Sequence, residues 1–178
     1  LRSQGKKTVL LLSWDDYDRF RKVPKNLPED KIKEYENYIG LPYSAVPDPF
    51  GCHASYAEHY EKEYEESLKK IGLEFDIIRY QSKEYMSGRY KDGIITALKN
   101  RKERYDIRQE FKTQEYSAEE RENFYPLSIY CDKCGKDTTK ITELSSDCNV
   151  VGYSCKCGNV STVNISEQGN SKLPWKVD

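Results

Sequence analysis

Two cysteine pairs limit what this chain can fold into more than any other feature. Cys131-Asp-Lys-Cys134-Gly and Cys155-Lys-Cys157-Gly are separated by twenty residues. Two thiolates from each of two tight turns can close a tetrahedron around zinc, and the glycine after each pair permits the positive φ such turns need. The runs 141–144, 150–153 and 160–165 are short, β-like and divided by turn residues, which outlines a small module at about 117–170. So little apolar content calls for a staple, and metal binding contributes folding free energy directly. A disulfide framework is the competing reading; no secretory signal favours it. The second pair is C-x-C instead of C-x2-C, which makes the motif less specific. Cys148 is left over and reads as a free thiol.

The first two thirds of the chain have a different grammar. Residues 8–12 form a short apolar run, the pattern of a strand buried on both faces of a parallel sheet. Residues 29–39 place Ile32, Tyr35 and Ile39 on one helical face, stopped by Gly40 and Pro42. Ser55-Tyr-Ala-Glu58 is a capping box that starts a helix at Tyr56, and Gly72 closes it. Residues 73–80 read as a strand. A helical stretch then runs over 83–111, weakened at Gly88 and Gly93, with Tyr90, Ile94, Leu98 and Tyr105 as its stripe. Strand, helix, strand, helix predicts an α/β fold with a parallel sheet. The chain opens on Leu1, and its only methionine is Met86; residues 1–5 read as the end of a helix closed by Gly5, so a longer polypeptide is expected.

Composition excludes several classes. Lys plus Arg (29) nearly balance Asp plus Glu (30), so bulk charge announces no nucleic acid and any such contact needs a local patch. No run approaches the roughly 18 apolar residues of a membrane span, and a cytoplasmic protein is expected. Charged residues make up 33%, which places much of the chain on helical surface. Fifteen tyrosines against five phenylalanines supply aromatic area with a polar tip, suited to half-buried faces.

Candidate site residues fall in two places. Asp15, Asp16 and Asp18 follow the first predicted strand, where ligands sit in open α/β sheets; capping of the next turn explains them equally well. A basic loop follows, with Arg19, Arg21, Lys22 and Lys25. Asp48-Pro-Phe-Gly-Cys52-His53 and His59 gather both histidines of the chain beside a cysteine. Folding the loop over the helix start would join four ligands, but on spacing alone a packed cysteine with surface histidines is the favoured reading.

The segments SWDDYDRFRKVP (13–24), PDPFGCHASYAEHY (47–60), YCDKCGKDTTK (130–140) and KLPWKVD (172–178) resemble the archaeal-type, class I lysyl-tRNA synthetases, in that family's order and through nearly the whole chain. The resemblance implies the first half of a Rossmann-type catalytic domain over 1–116, with a metal-binding loop and helix at 48–59. It implies a zinc-ribbon insertion over 117–170 and a return to the catalytic domain over 171–178. It further implies two zinc ions, one on Asp48, Cys52, His53 and His59 and the other on Cys131, Cys134, Cys155 and Cys157. ATP and magnesium, L-lysine and tRNA-Lys would be the partners of the full enzyme, together with the missing halves of the same polypeptide. Asp15 or Asp16 would suit the ammonium groups of lysine, and Trp175 would pack on its methylene stem. The HIGH and KMSKS motifs that stabilise phosphate charge in this class are not within the 178 residues, so no catalytic residue is assigned and adenylate formation by these residues alone is not expected. Two other readings remain. One is a non-enzymatic zinc-ribbon module that binds nucleic acid, using the basic stretch 99–104. The other is a zinc hydrolase on the histidine loop, with Glu58 as its base.

Overall fold

The computed structural model describes residues 1–111 and 117–174. The chain divides into two compact units, Leu1–Glu84 and Tyr85–Asp178, each mixing helices and strands. No helix among the described residues is long and apolar enough to cross a membrane.

In the first unit, strand β1 (Leu11–Trp14) runs parallel to β2 (Ile77–Tyr80), pairing Leu11 with Ile77 through Trp14 with Tyr80. Parallel neighbours need a long crossover, which here carries helices α1 (Glu29–Glu36) and α2 (Tyr56–Lys70). The parallel pair agrees with expectation; the strand limits and burial do not. Pairing begins at Leu11, not at residue 8, and Val9, Leu10 and Leu11 are 61%, 39% and 47% exposed. A strand ends where its partner ends, and β2 is four residues long. β2 in turn starts later than residue 73 because Leu73 gives its N–H to the carbonyl of Leu68 at 3.0 Å, beside Gly72 to Lys69 at 3.0 Å. That pair of bonds closes α2 around Gly72, at φ +74°.

The core of this unit lies between the loop 19–28, α1 and the first turn of α2. Phe20, Leu27, Tyr35 and Val46 are buried, with Tyr38, Tyr43 and Tyr56 packed against them. Phe20 meets Tyr35, Tyr43 and Tyr56 edge-on, at centroid distances of 6.4, 5.7 and 5.6 Å. Such geometry lets the positive ring edge face a negative ring face. The segment after β1 is laced to residues 41–44: Ser44 N–H to Asp16 O, Tyr43 N–H to Asp18 O and Phe20 N–H to Leu41 O, at 2.8–2.9 Å. Tyr56 N–H bonds Val46 O at 2.8 Å, which pins both ends of the loop 47–55 to the core.

Helix α2 is tied to the sheet by one carboxylate. Glu65 accepts from Trp14 Nε1 (3.1 Å), Tyr80 Oη (2.9 Å) and Lys62 Nζ (3.0 Å). Partial burial would raise its carboxyl, but Lys62, Tyr80 and Trp14 outweigh it and hold Glu65 below the usual carboxylate range. A depressed folded pKa contributes stability that is present above the unfolded value, about 4.5, and is lost as pH falls through the folded value. Glu65→Gln should therefore cost about 1–3 kcal/mol at neutral pH and should flatten the acid limb of stability below about pH 4.5. Denaturant titrations at several pH values check this; parallel acid limbs for the two proteins would refute it.

Helix α3 (Gln81–Met86) spans the boundary between the units. The single helical stretch expected over 83–111 is broken at Gly88, at φ +75°, and again at Asn100, giving α4 (Lys91–Lys99) and α5 (Arg101–Glu110). Gly93 lies inside α4 without breaking it. Ile94, Leu98 and Tyr105 of the expected stripe are buried, and Tyr90 is half-buried. After α6 (Ala118–Glu122) comes an antiparallel sheet of β4 (Thr139–Leu144), β5 (Val150–Cys155) and β6 (Val160–Asn164). Its buried apolar side chains are chiefly Val151, Tyr153, Val163 and the adjoining Ile165. On either side in sequence, β3 (Ser128–Ile129) pairs antiparallel with β7 (Ser171–Lys172).

Candidate metal centres

The four-cysteine centre is built by two turns facing each other. Cys131 and Cys134 lie between β3 and β4, Cys155 ends β5, and Cys157 sits in the turn to β6. Cys131 Sγ is 3.8 Å from Cys157 Sγ, and Cys134 Sγ is 3.7 Å from Cys155 Sγ. A zinc tetrahedron with Zn–S of about 2.3 Å has edges of about 3.8 Å, so the thiols already have the separation the ion requires. Gly135 and Gly158 take φ +71° and +84°, and return their N–H groups to the carbonyls of Cys131 and Cys155 at 2.8 and 2.9 Å. Burial opposes ionisation of Cys131, but the N–H groups of Cys134 and Lys133 and the Asn159 amide outweigh it and bring its thiol down to about 6. Burial pushes Cys134 up to about 12, and the neighbouring thiols add to this. A divalent cation would remove that opposition, since coordinated thiols deprotonate.

All six cysteines are free, which sets aside the disulfide reading. Cys148 belongs to neither ligand group. It is buried in the β4–β5 turn at φ +62°, with its N–H on Ser145 O at 2.9 Å.

The second centre lies in the pinned loop. Asp48 Oδ2 accepts the N–H groups of Cys52 and His53, both at 2.8 Å, and Oδ1 accepts that of Phe50 at 3.1 Å. Its side chain is only 1% exposed. Burial alone would raise Asp48, but these donors and the Cys52 thiol bring it down to about 2. Around it, Cys52 Sγ lies 3.3 Å from Asp48 Oδ2 and 3.2 Å from Nδ1 of both His53 and His59. His59 Nδ1 is 3.3 Å from Asp48 Oδ1. The thiol–imidazole edge of a tetrahedral zinc site is about 3.5 Å, and all four ligand atoms lie within 4.8 Å of one another. His59 is held by position in α2 and by Phe50, whose ring lies 4.7 Å away.

Ser55 accepts Glu58 N–H at 3.1 Å, as the capping box predicts. Glu58 reaches one residue further back than the usual box, accepting Ala54 N–H at 2.9 Å. It is thereby engaged as a cap, which accounts for Glu58 without the zinc-hydrolase reading. Either group of four could hold a metal ion. Filling all four positions leaves none open for catalysis and suits a structural role.

The acids after β1 part company. Asp15 is exposed. Asp16 is buried and accepts Ser82 N–H at 2.8 Å together with the Ser82 hydroxyl; burial pushes its carboxyl up against those bonds. Trp175 lies outside the described residues. Two participants have no signature in the sequence: Glu65, which reads as one surface acid among many, and Asn159, whose amide faces Cys131 Sγ at 3.5 Å. An asparagine directly after the second Cys-Gly turn is the one cue that could have pointed to the latter.

A family model described as tRNA synthetases class I (K) matches residues 1–178. The lysine–tRNA ligase of Treponema pallidum is 37% identical over 179 residues, covering 100% of this chain and 33% of that protein. Those of Pyrococcus horikoshii and Borreliella burgdorferi are each 38% identical over 178 residues, covering 100% of this chain and 32% and 33% of theirs. The chain thus spans about a third of the length of these relatives. With a match running from its first residue to its last, the chain belongs to the class I (K) tRNA synthetase family.

Proposed function

We propose that this chain serves a lysine–tRNA ligase that activates L-lysine with ATP and magnesium and transfers the lysyl group to tRNA-Lys. The observation that carries the reading is the full-length family match, joined to two convergent ligand groups on opposite halves of the sequence. In this reading 1–116 belong to a Rossmann-type catalytic domain, 117–170 form a zinc-ribbon insertion and 171–178 return to the catalytic domain. The pairing of β3 with β7 supports an insertion, because it brings side by side Ser128–Ile129 and Ser171–Lys172, which flank the four cysteines. A cytoplasmic location belongs to the same reading.

Zinc, when bound at Asp48, Cys52, His53 and His59 and at Cys131, Cys134, Cys155 and Cys157, would fix two loops without entering the reaction. The residues after β1 do the recognition. Asp16, locked by Ser82 and by Ser44, holds the backbone at the carboxyl end of the strand. Asp15 then presents an exposed carboxylate there, suited to an ammonium group of lysine through a charge-assisted hydrogen bond. Orientation of the amino acid before attack is where such a group assists catalysis. In the complete enzyme, Asp15→Asn should raise the lysine KM about 10-fold or more, the loss of one hydrogen bond to a charged group, with a smaller effect on the KM for ATP. Unchanged lysine KM values in steady-state aminoacylation would remove Asp15 from the site.

The nucleic-acid-binding module is the weaker reading. Arg101 donates to the carbonyls of Glu122 and Phe124 at 2.6 and 3.1 Å and lies over the Tyr125 ring, while Lys102 pairs with Glu122 at 2.6 Å. Two of the four cations that this reading invoked, Arg101 and Lys102, are thus engaged by α6 and the residues after it.

A further inference from the structure

One acid beside the four-cysteine centre is bonded in a way that surface position alone does not require. Asp132 sits between Cys131 and Cys134. Its Oδ1 accepts the Tyr153 hydroxyl at 2.8 Å and the Asn159 amide at 2.5 Å, and its Oδ2 accepts the Ser161 hydroxyl at 2.8 Å. The Tyr153 hydroxyl also accepts Asp132 N–H at 3.0 Å, so tyrosine and aspartate are bonded reciprocally. Tyr153 is fully buried in the central strand of its sheet, which gives the clamp a rigid anchor. All three donors belong to the β5–β6 hairpin, the same hairpin that carries Cys155 and Cys157. One carboxylate therefore joins the two halves of the ligand set. The Asn159 Nδ2 group has two protons: one direction faces Asp132 Oδ1 and the other faces Cys131 Sγ, at 3.5 Å.

We infer that Asp132 is a positioning residue for the metal at Cys131, Cys134, Cys155 and Cys157, acting by docking one cysteine turn on the other and by aiming the Asn159 amide at the Cys131 thiolate. This rests on the proposal that those four thiols hold zinc. Partners beyond the ligands orient them and tune their donor strength, and losing one commonly costs 10–100-fold in affinity. Asn at 132 would keep the shape but replace an acceptor oxygen by an amide, which cannot receive Tyr153, Asn159 and Ser161 together. Alanine at 159 would keep the Tyr153 and Ser161 bonds of the clamp and remove the amide that links Asp132 to the Cys131 sulfur.

The test uses the whole 178-residue chain loaded with zinc and mixed with excess chromophoric chelator; the phase due to the four cysteines is the one absent from Cys134→Ser. Asp132→Asn should accelerate that phase about 10–100-fold, and Asn159→Ala should accelerate it less. In the cobalt-loaded chain both substitutions should shift the thiolate-to-cobalt charge-transfer band, whereas Lys133→Ala, between the same cysteines, should move neither rate nor band. Wild-type release and an unmoved band in Asp132→Asn would overturn the inference. Faster release with an unmoved band would reduce Asp132 to a fold contact and overturn its action through Asn159. Absence of a zinc ion from the four cysteines of the parent chain would instead defeat the zinc proposal beneath it.

Discussion

Cys134→Ser should leave the chain with about one zinc ion in place of two and should unfold the β4–β5–β6 sheet. The sheet is short, and its buried apolar side chains are few. Structural zinc in comparable small modules contributes an apparent ~10–16 kcal/mol at neutral pH, far above what any one of those side chains supplies at about 1.5–3 kcal/mol. The serine hydroxyl is a poor replacement for a thiolate, and it would leave three thiols clustered without their ion. Elemental analysis gives the zinc count, and amide exchange across 139–164 gives the fold. Two zinc ions retained, or protection unchanged with one, would contradict the zinc-stapled module.

His59→Ala should also cost one zinc ion, yet leave the fold of the first unit standing. The reason lies in what holds the loop ends. Tyr56 is seated in the aromatic cluster around Phe20, Ser55 caps α2, and Val46 O receives Tyr56 N–H. None of these contacts involves the side chains of Asp48, Cys52, His53 or His59. The expected loss is thus confined to the loop 47–55, and a modest fall in Tm is expected, against collapse of a sheet in Cys134→Ser. The same contrast predicts the order of chelation. The loop group has one thiolate among its four ligands, and Cys52 and His53 are exposed, whereas Cys131 and Cys155 are buried. A chelator should strip the loop first. Acid should weaken it too: desolvation, and then Asp48, hold the Cys52 thiol above its ordinary range, so a proton must leave as zinc enters and affinity falls as pH falls. Equal release rates from the two groups would contradict the predicted order, and global unfolding of His59→Ala would show that the aromatic cluster does not carry this unit.

The convergence of the four cysteines was legible because they come in tight pairs, and a pair in a turn has little freedom. The histidine loop was not legible from spacing, since its closure depends on bonds that spacing does not show: Tyr56 to Val46, and Asp48 to the backbone N–H groups of Phe50, Cys52 and His53. The family resemblance was needed to name that group. The parallel pair was legible from order alone, but its limits were not, because Leu73 satisfies its N–H in the cap of α2 and shortens the ladder. Glu65 and Asp132 stayed hidden for a different reason. In a chain where a third of the residues are charged, sequence does not distinguish an acid that joins three donors from one that faces water.

The antiparallel contact between β3 and β7 has a consequence for how such a module can be inherited. Ser128 pairs with Lys172 and Ile129 with Ser171, so the polypeptide between them begins and ends at one place. A segment whose ends meet can be gained, lost or exchanged in one genetic event without stretching what surrounds it. The four cysteines all lie inside that closed excursion, so the zinc proposed for them would staple it from within, wherever it is placed.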